Sequence, residues 1–154
     1  TAAVGATAAG CSGAQVRNTP APEACPAGSV ETMKRLGIHP GDEIGVGFSG
    51  VDEDAETDFA TVREGPAQLV VERPLGQLEF GTVLTGQLLF GKERVYGRFT
   101  EAQTPGGDTY RVCLEAWSSL KGIPMRGLTR HPAGGPDTTR VTPAPDVKAV
   151  ERFE

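Results

Sequence analysis

The sequence has 154 residues, which suits one domain or one domain with tails. Its 21 Gly and 12 Pro disfavour long helices, while 38% hydrophobic residues are enough to fill a core. The formal net charge of −5 and the absence of a Lys/Arg run argue against nucleic acid or an anionic membrane as the partner, because both need a basic footprint.

The N-terminal segment 1–13, TAAVGATAAGCSG, consists of small residues without charge. Ala8–Cys11 resembles a lipoprotein cleavage site, where small residues precede a cysteine that becomes lipid-modified. The same composition suits an extended arm that lies along a sheet edge, in its own or a neighbouring subunit. Lipidation of Cys11 and an ordered arm therefore stand as alternatives. No run of about 18 apolar residues occurs, so no helix is predicted to span a bilayer.

A Pro-rich linker leads to the one helix that the sequence predicts. Ser29 suits the N-cap of a helix over Val30–Leu36, and Gly37 suits its end. The apolar stripe of this helix is expected to pack on a sheet. We therefore divide the chain into an arm or anchor with its linker, residues 1–28, and a single β-rich domain, residues 29–154.

Glu43–Phe48 is a predicted strand in which glycines form a formal motif. Gly45, Gly47 and Gly50 satisfy the spacing GxGxxG, which in a Rossmann unit lets a pyrophosphate approach a helix N-terminus. Here the motif lies mostly inside the strand, and a poor helix sequence follows it. A bulged or twisted strand is the preferred interpretation, and no cofactor is expected.

The densest cluster of charge has alternating carboxylates at Asp52, Asp54, Glu56 and Asp58. Such carboxylates could converge on a hard cation such as calcium. The spacing lacks the glycine and the final glutamate of an EF-hand loop, so these residues are weak metal candidates. A solvated acidic turn between two strands is the preferred interpretation.

The clearest strand pattern runs from Leu78 to Trp117. Three runs in it alternate apolar and polar side chains with the period of two that is typical of half-buried antiparallel strands: Thr82–Phe90, Val95–Thr100 and Tyr110–Trp117. Glycine-containing turns connect them. This segment is predicted to form a three-stranded meander.

Weaker strand patterns lie on both sides of the meander. Thr57–Arg63 and Gln68–Arg73 are predicted to form a hairpin around Glu64–Pro66. Ile123–Leu128 is a possible strand, and Val147–Phe153 suits a terminal strand that closes the sheet. The predicted fold class is all-β and mainly antiparallel, a small barrel or sandwich with one short N-terminal helix.

The three cysteines, Cys11, Cys25 and Cys113, are widely spaced, which disfavours a structural zinc site. In an oxidising compartment a disulfide between Cys25 and Cys113 would fasten the N-terminal segment to the meander. The alternative is a buried Cys113 and a free thiol at Cys25.

The sequence singles out no catalytic centre. His39 and His131 both precede prolines in predicted turns, without a motif that names a nucleophile for either. Glu101 and Glu115 could face each other across adjacent strands, as the carboxylates of glycosidases do. Nothing separates them from ordinary strand residues, so we expect a protein that is not an enzyme.

Four side chains of the meander are candidates for a binding surface: Tyr96, Arg98, Tyr110 and Trp117. Aromatic rings beside a guanidinium offer contact area for a sugar or a peptide at low entropic cost. Ordinary cross-strand pairing is the alternative explanation.

Two segments, QVRNTPAPEACPAGSVETMKRLGIHPGD and FGTVLTGQLLFGKERVYGRFTEAQTPGGDTYRVCLEA, resemble a region of known proteins. The region is the C-terminal, extracytoplasmic end of some membrane serine/threonine protein kinases of myxobacteria, with related small envelope proteins. The resemblance spans roughly residues 15–117, and none of the kinase signatures is present. It implies a location outside the cytoplasm and a binding or structural role.

We therefore expect a non-enzymatic β-domain of the cell envelope, in the periplasm, attached to the outer membrane or secreted. Its expected partner is a protein or further copies of itself. A ligand- or glycan-sensing domain of a membrane signalling protein is the main alternative, and a hydrolase is the third. Membrane contact is expected only through a lipid on Cys11.

Overall fold

A computed structural model describes residues 19–54, 59–131 and 137–154, with the backbone alone for 52–54. It contains one helix, α1 (Ser29–Arg35), and short strands. The strands are β1 (Glu23–Ala24), β2 (Glu43–Ser49), β3 (Asp52–Asp54), β4 (Phe59–Arg63), β5 (Gly65–Val71), β6 (Val83–Phe90), β7 (Arg94–Gln103), β8 (Thr109–Leu120), β9 (Ile123–Arg126), β10 (Leu128–Thr129), β11 (Thr138–Val141), β12 (Asp146–Ala149) and β13 (Arg152–Phe153). The predicted all-β class with one short helix is confirmed.

Six antiparallel strands close into a barrel, in the order β2-β5-β6-β7-β8-β12. The last of them, β12, closes it because Val147 lies opposite Ala116 of β8 on one side and Ile44 of β2 on the other. The structure is therefore a barrel and not a sandwich. The terminal strand predicted over Val147–Phe153 is divided into β12, which belongs to the barrel, and β13, which pairs with β1.

The predicted meander is confirmed, since β6 pairs with β7 and β7 with β8. Inward side chains such as Leu84, Leu88, Phe99 and Leu114 are fully buried. Each buried side chain of this size stabilises the fold by about 1.5–3 kcal/mol relative to an exposed one. The ladders are irregular near Phe99, where both neighbours of β7 shift register, as is common where a small barrel bends.

Helix α1 packs against β8, and its Met33 joins the barrel's apolar core. The predicted N-cap is wrong. Gly28, with φ of 81°, occupies the cap position, and Ser29 is the first helical residue. A left-handed turn, which glycine adopts without strain, brings the Ser29 N–H to the Pro26 carbonyl oxygen at 3.0 Å. The Ser29 hydroxyl is buried without a hydrogen-bond partner among the described residues. No described helix is long and apolar enough to cross a membrane.

The hairpin predicted around Glu64–Pro66 is wrong. Strand β4 pairs with β3 and β11 in a separate sheet, while β5 pairs with β2 and β6 in the barrel. The chain passes between the sheets at Gly65, whose φ of 116° is unfavourable for other residues. The acidic segment predicted as a turn begins instead as strand β3, Asp52–Asp54.

The predicted disulfide is confirmed. Cys25 and Cys113 are bonded, with their Cα atoms 5.6 Å apart and a sequence separation of 88. Beside the bridge, β1 pairs with β13, so the segment expected as a linker is attached to the barrel wall from Glu23 onward. A disulfide of this kind is compatible with an oxidising compartment.

Replacing both bridge cysteines should show how much the disulfide stabilises the barrel. We expect Cys25→Ala with Cys113→Ala to lower the free energy of unfolding by about 2–4 kcal/mol, because the unfolded chain regains the freedom of a long loop. Urea unfolding with and without reductant measures this. Reduced wild-type protein should match the double variant, and equal stability of oxidised wild type and double variant would contradict the expectation.

Gly86 should tolerate no side chain, because a Cβ there would overlap the Arg98 carbonyl oxygen and lie 2.6 Å from Phe99 Cα. We expect Gly86→Ala to destabilise the protein by about 1–3 kcal/mol or more, since the obstructing atoms are backbone. Gly45→Ala is the matched control. Its Cβ would meet only the Asp146 Oδ1 atom at 3.8 Å, so thermal unfolding should show no loss of stability.

Candidate functional site

The structure brings together only part of the predicted binding surface. Tyr96, Arg98 and Trp117 belong to the outer side of the barrel wall, because their strand neighbours point into the core. Tyr110 lies opposite Ala102 on the inner side and packs against the core. The four residues therefore do not form one surface.

Arg98 is buried beneath the two terminal strands. Its guanidinium donates hydrogen bonds to the Ala21 carbonyl oxygen at 2.8 Å and to Glu23 Oε2 at 3.1 Å. It also lies 5.3 Å from the ring centroid of Phe153, a distance suited to a cation–π contact. These contacts hold β1 and β13 against β7, so the group that was predicted to bind a ligand binds two strands of its own chain.

Tyr96 is buried near the point where β9 and β10 meet, and Arg94 holds that point together. The Arg94 guanidinium donates to the carbonyl oxygens of Arg126 at 2.8 Å and Gly127 at 2.7 Å. It also donates to the Ser118 hydroxyl at 3.1 Å. The segment between β9 and β10 thus fills the space where β7 and β8 separate, since β10 pairs with β7 and β9 with β8.

Trp117 lies within a group of charged side chains that we call the Trp117 face: Trp117, Arg126 and Lys148, with Glu115 beneath them. Glu115 Oε1 accepts hydrogen bonds from the indole Nε1–H and from the Arg126 Nε–H, each at 3.0 Å. The Lys148 ammonium lies 3.6 Å from the indole ring centroid, and the Arg126 guanidinium carbon lies 5.8 Å from it. The ring is therefore held by one carboxylate and flanked by two cations.

Strand register explains why these residues meet. Arg126 of β9 lies opposite Trp117, while Lys148 of β12 lies opposite Glu115. On its other side, Glu115 lies opposite Arg98 of β7. The Glu115 side chain is only 3% exposed. A buried carboxylate is costly unless it is paired, and here neighbouring strands supply cations on both sides.

The sequence singles out Trp117 but gives no signal for Arg126 or Lys148. The alternation along β8 already places Glu115 and Trp117 on one side of the sheet. Nothing local indicates that β9 and β12 flank β8, because that neighbourhood follows from the closure of the barrel.

The Trp117 face offers a rigid aromatic plane and two cationic groups whose remaining N–H donors can still bind a partner. Lys148 forms no ion pair with any residue in the described part of the chain. Arg126 uses its Nε–H on Glu115 and is 34% exposed. Such a surface suits a partner that presents carboxylates together with apolar area.

A cleft of about 570 Å³ lies between β4 and the barrel. Hydroxyl and amide groups contribute to its lining: Ser49, Thr61, Gln68, Thr85 and Thr138. Its charged lining residue, Arg63, is paired with Asp137 at 2.8 Å. The cleft therefore presents uncharged polar groups together with apolar side chains such as Val62 and Leu88.

The other candidates do not converge on a centre. His39 is exposed beside Asp42, and His131 packs on the Phe59 ring with centroids 4.5 Å apart. Glu101 lies opposite Arg111, so it does not face Glu115 as a glycosidase pair would. No group of three potential metal ligands occurs among the described residues.

Several predicted residues lie outside the part that the structure describes. These are Cys11 with the N-terminal arm, Glu56, Asp58 and the side chains of Asp52 and Asp54. Lipidation, the arm and the weak calcium site stay predictions.

No protein-family model matches the chain, and no curated protein matches it significantly. The resemblance to the extracytoplasmic region of myxobacterial kinases stays a prediction. Function is therefore inferred from the geometry of the described residues.

The contacts of Glu115 can be tested through fluorescence, because Trp117 is the only tryptophan in the chain. Glu115→Ala leaves the indole N–H and the Arg126 guanidinium without their acceptor, so we expect a red-shifted emission and a loss of about 1–3 kcal/mol in urea unfolding. Glu115→Gln keeps an acceptor oxygen and should lose less. Glu101→Ala, an exposed control on β7, should change neither quantity.

Proposed function

We propose that this chain is a non-enzymatic, extracytoplasmic β-domain that binds a protein partner through the Trp117 face. The observation that supports this most is the position of Trp117, whose indole is bonded to buried Glu115 while Lys148 lies against its ring. Tryptophan and arginine are enriched among the residues that dominate protein interfaces. The Cys25–Cys113 disulfide favours a location outside the cytoplasm.

The charges of the Trp117 face indicate the chemistry of the partner. Lys148 and Arg126 are cations at the surface of a chain whose net charge is −5. A segment carrying Asp or Glu would pair with both while an apolar side chain covers the indole. Complementary charge would also speed the encounter and exclude basic partners.

The same chemistry permits assembly with further copies of the chain. The sequence contains 20 Asp and Glu residues, so a second copy can supply the carboxylates that the face requires. A symmetric pair of Trp117 faces would bring like charges together, so self-assembly would use a head-to-tail contact.

The face is preorganised, which lowers the cost of binding. Trp117 is fixed from below by Glu115, and Glu115 is fixed by Arg126, so little side-chain freedom remains to be lost on association. A neutral glycan is less well served, because it has no carboxylate to pair with Lys148 and Arg126. If the domain senses a small uncharged ligand instead, the cleft beside β4 is the place that suits it.

Site-specific photo-crosslinking in the cells that produce the protein tests this proposal. A probe at exposed Ser119, two residues after Trp117, should give a discrete adduct, and a probe at exposed Gln87 of β6 should not. Lys148→Glu should remove the Ser119 adduct, while Lys34→Glu, the same change at an exposed position of α1, should not.

The affinity for the captured partner should fall by at least about 2 kcal/mol in Trp117→Ala, the loss typical of a dominant interface residue. An adduct of twice the chain mass, with matching sedimentation velocity, would identify the partner as a second copy. Equal crosslinking from Ser119 and Gln87, or an adduct unaffected by Lys148→Glu, would refute the proposal.

A further inference from the structure

Beyond Trp117, strands β8 and β9 continue as a two-stranded hairpin. Leu120 lies opposite Ile123, and the turn between them consists of Lys121 and Gly122 with φ values of 53° and 80°. Two consecutive left-handed residues form the tight turn that matches the natural twist of a hairpin. Every residue from Ser119 to Pro124 is exposed, so this hairpin stands clear of the barrel core.

The end of this hairpin, Leu120–Ile123, which we call the tip, is apolar. Leu120 is 42% exposed and Ile123 is 64% exposed. Among the described residues, the other large hydrophobic side chain that is exposed is Phe80, at 67%. Phe80 precedes β6 while the tip follows β8, and these strands run parallel, so the two lie toward opposite ends of the barrel.

The tip also lies within a basic segment of an acidic chain. Residues 116–136 include no Asp or Glu, but they include the cations Lys121, Arg126 and Arg130. Lys121 lies in the turn itself, and the neighbouring β12 adds one cation, Lys148, and one anion, Asp146, which lies opposite Trp117. These residues are dispersed in sequence, which is why composition alone argued against a basic surface.

We infer that the tip is a membrane contact, with Leu120 and Ile123 entering the headgroup region of a bilayer that contains anionic phospholipid. Apolar side chains at the boundary of the acyl chains, combined with cations near the phosphates, are the features by which proteins bind membrane surfaces. The positive charge of the segment 116–136 is complementary to such a surface. The area of two exposed aliphatic side chains is also far smaller than the roughly 800 Å² that each partner contributes to a standard protein interface.

The geometry allows this contact together with the proposed protein binding. Trp117 lies three residues before Leu120, which is about 10 Å along a strand. With only the tip in the headgroup region, the Trp117 face stays on the water side of it. The membrane would then hold the Trp117 face at a fixed distance from the bilayer surface, where Lys148 and Arg126 remain accessible to a partner.

Vesicle co-sedimentation of the whole protein tests the inference. Wild type should bind vesicles of mixed phosphatidylglycerol and phosphatidylcholine more tightly than vesicles of phosphatidylcholine alone. Leu120→Ser with Ile123→Ser should weaken binding to the mixed vesicles about tenfold or more, because two apolar side chains are lost from the contact. Lys121→Gln should weaken it about fivefold, the factor that corresponds to about 1 kcal/mol for one cation at an anionic surface.

Matched controls exist for both changes. Phe80→Ser removes an equally exposed hydrophobic side chain at the other end, and Lys34→Gln removes an exposed cation on α1, so neither should alter vesicle binding. All four variants change exposed positions, and unaltered urea unfolding should verify that they fold.

Three results would overturn the inference. These are equal binding of wild type to both kinds of vesicle, unchanged binding of the Leu120→Ser and Ile123→Ser variant, and a wild-type dimer in vesicle-free solution that this variant dissociates. The last would make the tip a contact between copies.

The membrane contact and the proposed protein binding can fail separately. Trp117→Ala should leave vesicle binding intact, and the tip variant should keep the Ser119 crosslink, so failure of one proposal is distinguishable from failure of the other.

Discussion

The insertion of β12 between β8 and β2 is the constraint on which the rest of the structure depends. Val147 completes hydrogen-bonded ladders with both neighbours, and without it the barrel would have two open edges. The strands it joins begin at Glu43 and Thr109, so closure unites parts of the chain that are far apart in sequence. The same closure sets Lys148 beside Glu115 and thereby creates the Trp117 face. Folding that relies on such distant pairings is slow compared with folding through local contacts.

On the outer side of the barrel wall, two buried charged residues hold the neighbouring side chains and strands in place. Arg98 and Glu115 lie opposite each other on β7 and β8. Arg98 gathers the terminal strands through Ala21, Glu23 and Phe153, whereas Glu115 orders Trp117 and Arg126. The two residues share a register position, and each forms its hydrogen bonds with a different set of neighbours. A small barrel gains rigid surface structure in this way without enlarging its apolar core.

The sequence predicts those features that depend on local pattern. The alternation along 82–117 predicts the meander. For Cys25 and Cys113 the sequence allows two interpretations, a disulfide or a free thiol beside a buried cysteine, and the disulfide is the one that forms. The hairpin predicted at Glu64–Pro66 is wrong although adjacent strands usually pair, because β4 and β5 separate into different sheets at Gly65, where φ is 116°. The cap at Ser29 failed because the neighbouring Gly28 provides the turn instead. Arg126 and Lys148 could not be predicted as neighbours of Trp117. They approach it only because β9 and β12 pair with β8, and local sequence pattern does not predict which strands pair.

The bond between Cys25 and Cys113 also determines how the domain carries mechanical load. Tension on the chain before Cys25 first acts on the short β1–β13 pair and on the Arg98 contacts. These can yield, but extension then stops at the covalent bridge, which passes the force to the middle of β8. Strand β8 is held by ladders to β7 and β12, which must be sheared together for it to move. A domain built in this way can be pulled from its N-terminal side while the barrel keeps its shape.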